Sequence, residues 1–421
     1  MKVTILTYGS RGDVQPFLAL ACGLQKRGHE VILAAPHRFA GFVGERQVPF
    51  VPLAGDPEEI SLRINDAGTN VIRIIAAFRD YAFSIAPQVS KSAFAACEGA
   101  DLIVHSLLFT TGGHSWAREH GVPDVSVQTF PMFAPTREFP SVAAAYAPRG
   151  SLSYLSHWLA QQAFWLGGNS GYAPLQRAHP EIPNPKKLYW PFDESAPLSR
   201  RTPLLCACSP SVLPRPADWP EHAVMTGYLF LDQNEEDRLP AGLADFLSAG
   251  QPPVCVTFGS MVNRETQRIM RDLLDAIAAV HCRAIVLTGW GRPFADREQE
   301  DVFWLEAAPH HWLLPRCSLV VHHGGAGTTA AGFRAGIPQV VVPHTADQPF
   351  WGRLVHQLGV GPPPLSIRRS SANRFASALA QASEMGVRNR ARALGGKVDA
   401  ERGVETAVQV IEDHFRRWHE M

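Results

Sequence analysis

The sequence predicts an α/β protein made of two doubly wound halves. Two observations carry that prediction. A strand, a glycine turn, a helix and a second strand follow one another within residues 1–36, and the same alternation restarts at Val254 after a polar stretch. In the first half, Val3–Thr7 is a short apolar run with β-branched residues, which suits a buried strand. Gly9–Asp13 is a glycine-containing turn. Val14–Arg27 has helical spacing, with Leu18, Ala21, Cys22 and Leu24 inward and Gly28 as its stop. Glu30–Ala35, Asp101–His105 and Pro123–Gln128 read as further strands, with a helix at Gly112–Glu119. Two stretches break the rhythm: 56–96, mainly helical in pattern, and 130–190, rich in aromatics and turns. Insertions at strand ends commonly build a substrate pocket, although covering the core explains any single aromatic equally well. Residues 232–252, with Glu235, Glu236 and Asp237 together, read as a linker. The second half then has strands at Val254–Phe258, Ala284–Thr288, Ser318–His322 and Gln339–Val342, with helices at Glu265–Val280 and Thr328–Ala335. Helical patterns close the chain. The expected division is 1–231, a linker at 232–252, 253–395, and a closing helix within 396–421.

Composition narrows the function classes. Of 421 residues, 46% are hydrophobic and 19% charged, enough for two cores. Lys plus Arg and Asp plus Glu number 39 each, so the net charge is zero, without the basic excess of a protein that grips nucleic acid through its phosphates. Seven cysteines form no C-x-x-C pair and read as free thiols of a reducing compartment. No apolar run approaches the length of a membrane span and no signal segment is evident, so the expectation is a cytoplasmic protein with peripheral membrane contact left open.

The sharpest local signal is His322–Thr329, H-H-G-G-A-G-T-T, between a strand and a helix. Glycines let backbone approach a ligand, and a helix N-terminus offers N–H groups and positive potential to a diphosphate. Thr328 and Thr329 add hydroxyls, and His323 can donate to a phosphate oxygen. No Lys follows as in a P-loop, and the spacing is not that of a dinucleotide fingerprint. Asp347 and Gln348 follow the next strand, where a carboxylate beside an amide can hold vicinal sugar hydroxyls; helix capping is the competing role for Asp347. At the first strand's end, Asp13 of Gly9-Ser10-Arg11-Gly12-Asp13 precedes a helix. It is either a cap or a general base. The paired histidines His310–His311 and His322–His323 lack a completing carboxylate or Cys, and no D-x-D pair occurs, so no metal is expected.

Three segments together, Gly9–Phe17 (GSRGDVQPF), Ser209–Trp219 (SPSVLPRPADW) and His310–Trp351, resemble the family 1 glycosyltransferases, closest to the sterol 3-β-glucosyltransferases and then the bacterial antibiotic and macrolide glycosyltransferases. The resemblance implies a GT-B fold, two Rossmann-like β/α/β domains facing each other across a cleft, with the last helix packing back on the first domain. It implies a UDP- or dTDP-sugar donor in the second domain, UDP-glucose foremost, a lipophilic acceptor such as a sterol, polyketide or phenol in the first, and no bound cofactor. Asp13 takes the place of the family's base. His323, Gly325, Gly327 and Thr328 take the diphosphate positions, Asp347 and Gln348 the sugar pair. Ser260 would lie beside the diphosphate, and Ala308 to His310 would line the base pocket. Ser10, Arg11, His105 and His114 are candidates for the acceptor side; loop support is the competing role for Arg11, and His105 and His114 either assist the base or touch the acceptor or, the favoured reading, only pack or face solvent. Where plant members carry a ribose-binding Glu this chain has Ala331, and no clear equivalent of their uracil-stacking Trp lies near Ala307.

The implied chemistry is inversion: the acceptor hydroxyl, relieved of its proton by Asp13, attacks the anomeric carbon opposite the diphosphate, whose charge passes to His323 and the helix terminus. The alternatives are a deoxysugar transferase, an epimerase, and a non-catalytic activator; a non-catalytic chain would be expected to lose Asp13 or the diphosphate loop. No nucleic-acid partner is expected, and the chain should be a monomer or weak dimer.

Overall fold

The computed structural model describes residues 1–59, 71–178, 197–231, 242–258, 264–289, 300–344 and 347–420. The chain divides into two compact units, Met1–Leu231 with Arg402–Met421, and Asp232–Glu401. Each is built on its own parallel sheet.

In the first unit the strands are β1 (Lys2–Leu6), β2 (Glu30–Pro36), β3 (Phe50–Leu53), β4 (Leu102–Ser106), β5 (Asp124–Gln128), β6 (Leu204–Cys206) and β7 (Ala223–Met225), in the order β3-β2-β1-β4-β5-β6-β7. All pairs are parallel, with Leu6 opposite Ala34 on one side and His105 on the other. The helices are α1 (Arg11–Lys26), α2 (Ala40–Gly44), α3 (Val71–Cys97), α4 (Thr110–Glu119) and α5 (Ser151–Ala178). Both sheet faces are covered, which is why the central strands are buried almost throughout. Val3, Ile5, Phe17, Leu18 and Leu24 share one core cluster, and Leu6, Ile103, Phe109 and Trp116 another.

The second unit has α6 (Leu243–Ser248), β8 (Val254–Thr257), α7 (Arg264–Ala279), β9 (Ala284–Leu287), β10 (Val302–Leu305), α8 (His310–Leu313), β11 (Leu319–His322), α9 (Ala326–Arg334), β12 (Gln339–Val341), α10 (Gln348–Gln357), α11 (Ala372–Ser383) and α12 (Met385–Asp399). Its sheet order is β10-β9-β8-β11-β12, again parallel. Part of the stretch read as linker is helix: α6 buries Leu243.

The chain then returns to the first unit with α13 (Gly403–His419). Ala407, Val408 and Ile411 enter the same core as β1 and α1, and Glu412 bonds Arg27 Nη2 at 2.6 Å and His29 Nε2 at 2.9 Å. All seven cysteines are free thiols. Among the described residues no helix is long and apolar enough to cross a membrane.

Candidate active site

In a doubly wound sheet, ligands bind at the carboxyl ends of the strands, where the strand order reverses. The first sheet reverses between β1 and β4, the second between β8 and β11. The loops carrying Asp13 and His323 therefore leave the sheets at their two switch points.

After β11 the backbone turns through Gly324, whose φ is +91°; a Cβ there would lie 2.7 Å from Val341 Cγ1 and 3.0 Å from the Gln348 carbonyl oxygen. This close approach brings the His323–Thr328 loop against the start of α10, so the glycine motif and the Asp347–Gln348 pair occupy one edge of the sheet. The loop is pinned from below. His322 is fully buried; its Nε2 bonds Gln339 Oε1 at 2.9 Å, and its Nδ1 accepts from the Gly324 N–H at 3.1 Å. Gln339 also donates to the Thr329 carbonyl, 3.2 Å, and the Thr329 hydroxyl donates to the Gly325 carbonyl, 2.9 Å. Thr329 is thus spent inside the helix. Thr328 is half-buried, and its hydroxyl makes no hydrogen bond among the described residues.

Helix α9 begins at Gly325 with no side-chain cap and no acidic residue in its first turn. Its leading N–H groups, at Ala326 and Gly327, remain for an anion. Burial pushes the His323 imidazole down to about 4 against the pull of the Thr257 carbonyl, and burial with neighbouring His323 holds His322 near 3. Both rings are neutral at pH 7 until an anion favours the proton.

Asp347 is the residue just before α10, and its side chain does not cap the helix. Its Oδ2 accepts from the Trp351 indole at 2.7 Å, and Trp351 is fully buried. The Gln348 side-chain Oε1 accepts from the His344 N–H at 2.7 Å. His344, which the sequence reading passed over, stands edge-on to Phe258, and neither of its buried ring nitrogens has a hydrogen bond among the described residues. Burial, with His323 nearby, lowers it to about 4. Ala308 packs at the edge of the lower core and His310 is half-buried, close enough to add to the depression of His322. Ser260 lies outside the described residues.

In the first unit Asp13 is not before the helix but in its first turn. Its Oδ2 accepts from the Ser10 N–H at 2.8 Å and the Ser10 hydroxyl at 2.9 Å. Gly9, at φ +137°, leaves the space this carboxylate fills, since a Cβ there would overlap Asp13 Oδ2. Oδ1 carries no hydrogen bond among the described residues. Burial raises the carboxyl above its ordinary value, with the two Ser10 bonds opposing. Capping and base catalysis can then be divided between the two oxygens. Arg11 is exposed, bonds Gln15 Oε1 at 3.2 Å and lies 4.7 Å over Phe42.

His105 and His114 are not on an open face. Both are buried on Asp124, with His105 Nε2 at 2.9 Å and His114 Nδ1 at 2.7 Å from Oδ2, while Thr202 donates to Oδ1 at 2.9 Å. Burial opposes the charge on Asp124, but His114 and the bonds from both rings outweigh it and keep the carboxylate ionised. Of the two readings of these histidines, acceptor contact and packing, the contacts observed here are packing ones: they tie β4, α4, β5 and the segment before β6 together. Among the described residues they are also the group that could jointly hold a cation, three ligand atoms lying within 4.8 Å of one another. Here those atoms are hydrogen-bonded to each other.

The Ser209–Trp219 motif also works structurally. Arg215 donates to the carbonyls of Pro216, Trp219, Pro220 and Ala223, and Asp218 accepts from the Thr136 hydroxyl and the Arg137 N–H. It clasps the 130–148 stretch to the end of the sheet.

Two family models match the chain: the glycosyltransferase family 28 N-terminal domain over residues 3–114, and the erythromycin biosynthesis protein CIII-like C-terminal domain over 271–405. The O-mycaminosyltylonolide 6-deoxyallosyltransferase of Streptomyces fradiae is 36% identical over 98% of this chain and 97% of its own. A sterol 3-beta-glucosyltransferase of Arabidopsis thaliana is 32% identical over 99% of this chain and 68% of its own. The chain spans only 27–30% of the length of the fungal sterol 3-beta-glucosyltransferases it matches. Among solved structures, the calicheamicin glycosyltransferase CalG4 superposes with a TM-score of 0.73 at 18% identity, over 99% of this chain and 98% of that one. With the two switch-point loops and a near full-length relative in agreement, the chain belongs to the GT-B glycosyltransferases, enzymes that move a sugar from a nucleotide donor, and is related to the sterol 3-β-glucosyltransferases and the antibiotic and macrolide glycosyltransferases.

Proposed function

We propose that this chain is an inverting O-glycosyltransferase that moves a hexose, glucose foremost, from a UDP-sugar to a hydroxyl of a lipophilic sterol-, polyketide- or phenol-like acceptor, with no metal ion in the transfer step. The observation that carries the reading is the α9 terminus: it has no cap and no acidic side chain, and it stands beside the Asp347–Gln348 pair. Its N–H groups and His323 would receive the charge that a metal neutralises in other transferases. Thr328 would add a hydroxyl, Ser260, Ala308 and His310 would flank the nucleotide, and Asp347 and Gln348 would hold the sugar. Asp13 Oδ1 would take the acceptor proton. A carboxyl raised by burial suits that task better than an ordinary one.

A second reading, a dTDP-6-deoxyhexose donor, is favoured by the Streptomyces fradiae relative, whose name describes 6-deoxyallosyl transfer. A donor panel of UDP-glucose, UDP-galactose and a dTDP-6-deoxyhexose, assayed with EDTA against one sterol and one aromatic alcohol, tests both. Turnover with UDP-glucose and a β-linked product is the expected result. Turnover confined to the deoxysugar replaces the first reading with the second, and loss of turnover in EDTA overturns metal independence.

A further inference from the structure

Helix α5 is built the wrong way round for a helix on a water-soluble surface. Over its first turns the inward positions are Ser153, Ser156, His157 and Gln161, all buried, and the outward ones are apolar. Each inward side chain bonds backbone of the 132–148 stretch or of the helix itself, although the second His157 ring nitrogen, Nδ1, is buried without a hydrogen bond among the described residues. Ser153 Oγ donates to the Pro148 carbonyl at 2.9 Å, and His157 Nε2 lies 3.0 Å from the Phe139 carbonyl. Gln161 donates to the Met132 carbonyl at 3.4 Å. The Ser156 hydroxyl accepts from the Ser141 N–H at 2.9 Å and donates to the Ser153 carbonyl. The polar face is therefore locked inward and cannot rotate out. The opposite face carries Leu152, Leu155, Trp158 and Leu159, 55%, 46%, 41% and 53% exposed, at the i, i+3, i+7 spacing of one helical stripe, with Tyr154 beside them. These make up most of the large exposed apolar side chains among the described residues, so the exposure is concentrated on one element.

The charge pattern says what covers it. From Gly150 to Gln176 the sequence has no charged residue, and from 139 to 180 it has no Asp or Glu; the flanking charges are Arg149, which is exposed, and Arg177. A protein partner's footprint ordinarily has a polar, mixed-charge rim. A stripe of Leu with Trp and Tyr, free of acid and bordered by arginine, is the composition of a helix lying in a membrane interface, too polar on its other face to span it. We propose that the outward face of α5 seats this protein on an anionic lipid bilayer, with Leu152, Leu155, Trp158 and Leu159 entering the headgroup–acyl boundary and Arg149 meeting lipid phosphate. The inference is independent of which donor or acceptor the enzyme uses.

The test is co-sedimentation of the full chain with vesicles of phosphatidylcholine alone and of phosphatidylcholine with phosphatidylserine in equal parts. The expected result is binding to the anionic vesicles, weaker binding to the neutral ones, and a decline as salt is raised. Leu155→Glu with Leu159→Glu should lower the partition coefficient about tenfold or more, and Arg149→Gln should weaken only the preference for phosphatidylserine, by about fivefold, one basic residue's share. A milder pair, Leu152→Ala with Leu155→Ala, should give an intermediate loss with unchanged circular dichroism, which separates docking from misfolding. A wild-type chain left in the supernatant with both vesicle types overturns the proposal. So does binding that the double glutamate variant retains, or light scattering that shows a dimer which that variant dissolves, since the stripe would then be a contact between copies.

Discussion

The two switch points share a plan and differ at one step. In each, a buried strand ends, a glycine with positive φ turns the chain, and a helix begins with its N–H groups facing the strand ends. At α1 the chain answers its own helix terminus: Asp13 in the first turn folds back onto Ser10. At α9 nothing among the described residues does so. A terminus that already holds a carboxylate has little left for a second anion, and one that holds none is a standing anion site. Under the proposed function, the same local architecture would give one junction to a neutral hydroxyl and the other to a diphosphate through a single first-turn residue.

The comparison can be broken from either side. The largest effect is expected from Asp13→Asn: turnover should fall about 10²–10⁴-fold, the range for a lost general base, with UDP affinity by calorimetry unchanged. Turnover near wild type would leave Asp13 as a cap alone. Next, Gly327→Asp gives α9 the feature of α1. UDP affinity should drop about tenfold or more while the melting temperature holds or rises, because the new carboxylate caps the helix that the diphosphate would otherwise neutralise. Unaltered UDP binding would show that the α9 terminus is not the anion site. A smaller change, a few-fold rise in the KM for the donor with kcat nearly kept, is expected of Trp351→Phe, which removes the indole bond to Asp347 Oδ2 without emptying the core. Equal effects on UDP and on UDP-sugar binding would remove Asp347 from the sugar site.

The smallest effect is a pH slope. His322 and His323 have folded values near 3 and 4 against an ordinary 6.5. Above 6.5 neither folded nor unfolded chain takes up these protons. Below it the unfolded chain binds protons that the folded one refuses, so stability falls from pH 6.5 toward about 4. UDP binding should move the other way, strengthening on mild acidification, because a diphosphate favours protonated His323. Nucleotide affinity flat between pH 7 and 5.5 would place His323 away from the phosphates.

Much of this was legible in the residues. Strands such as Val254–Thr257 and Leu319–His322 are continuous apolar runs because helices cover both faces, and the glycine turns that follow them announce the loops. The short strands β6 and β7 were not legible: three residues carry no period, and both lie among prolines and turns. Helix α12 was missed because its buried face is Val387, Ala391, Gly395 and Val398, too small to stand out among its arginines. At the site, the residues that would touch ligand were readable as motifs. Those that hold them, Gln339 under His322 and Trp351 under Asp347, were not, because each acts across a distance in sequence or through one bond that no pattern marks. The shared anchor of His105 and His114 is hidden for a like reason: their partner Asp124 looks like an ordinary strand residue.

The return of α13 to the first unit has a consequence for how this chain comes to exist. The core beneath β1 and α1 lacks Ala407, Val408 and Ile411 until the ribosome has passed the whole of the second unit. The second unit, contiguous from 232 to 401, can close while translation continues. The first to be synthesised is therefore the last to be finished, and its waiting apolar surface is what a chaperone would meet on the nascent chain.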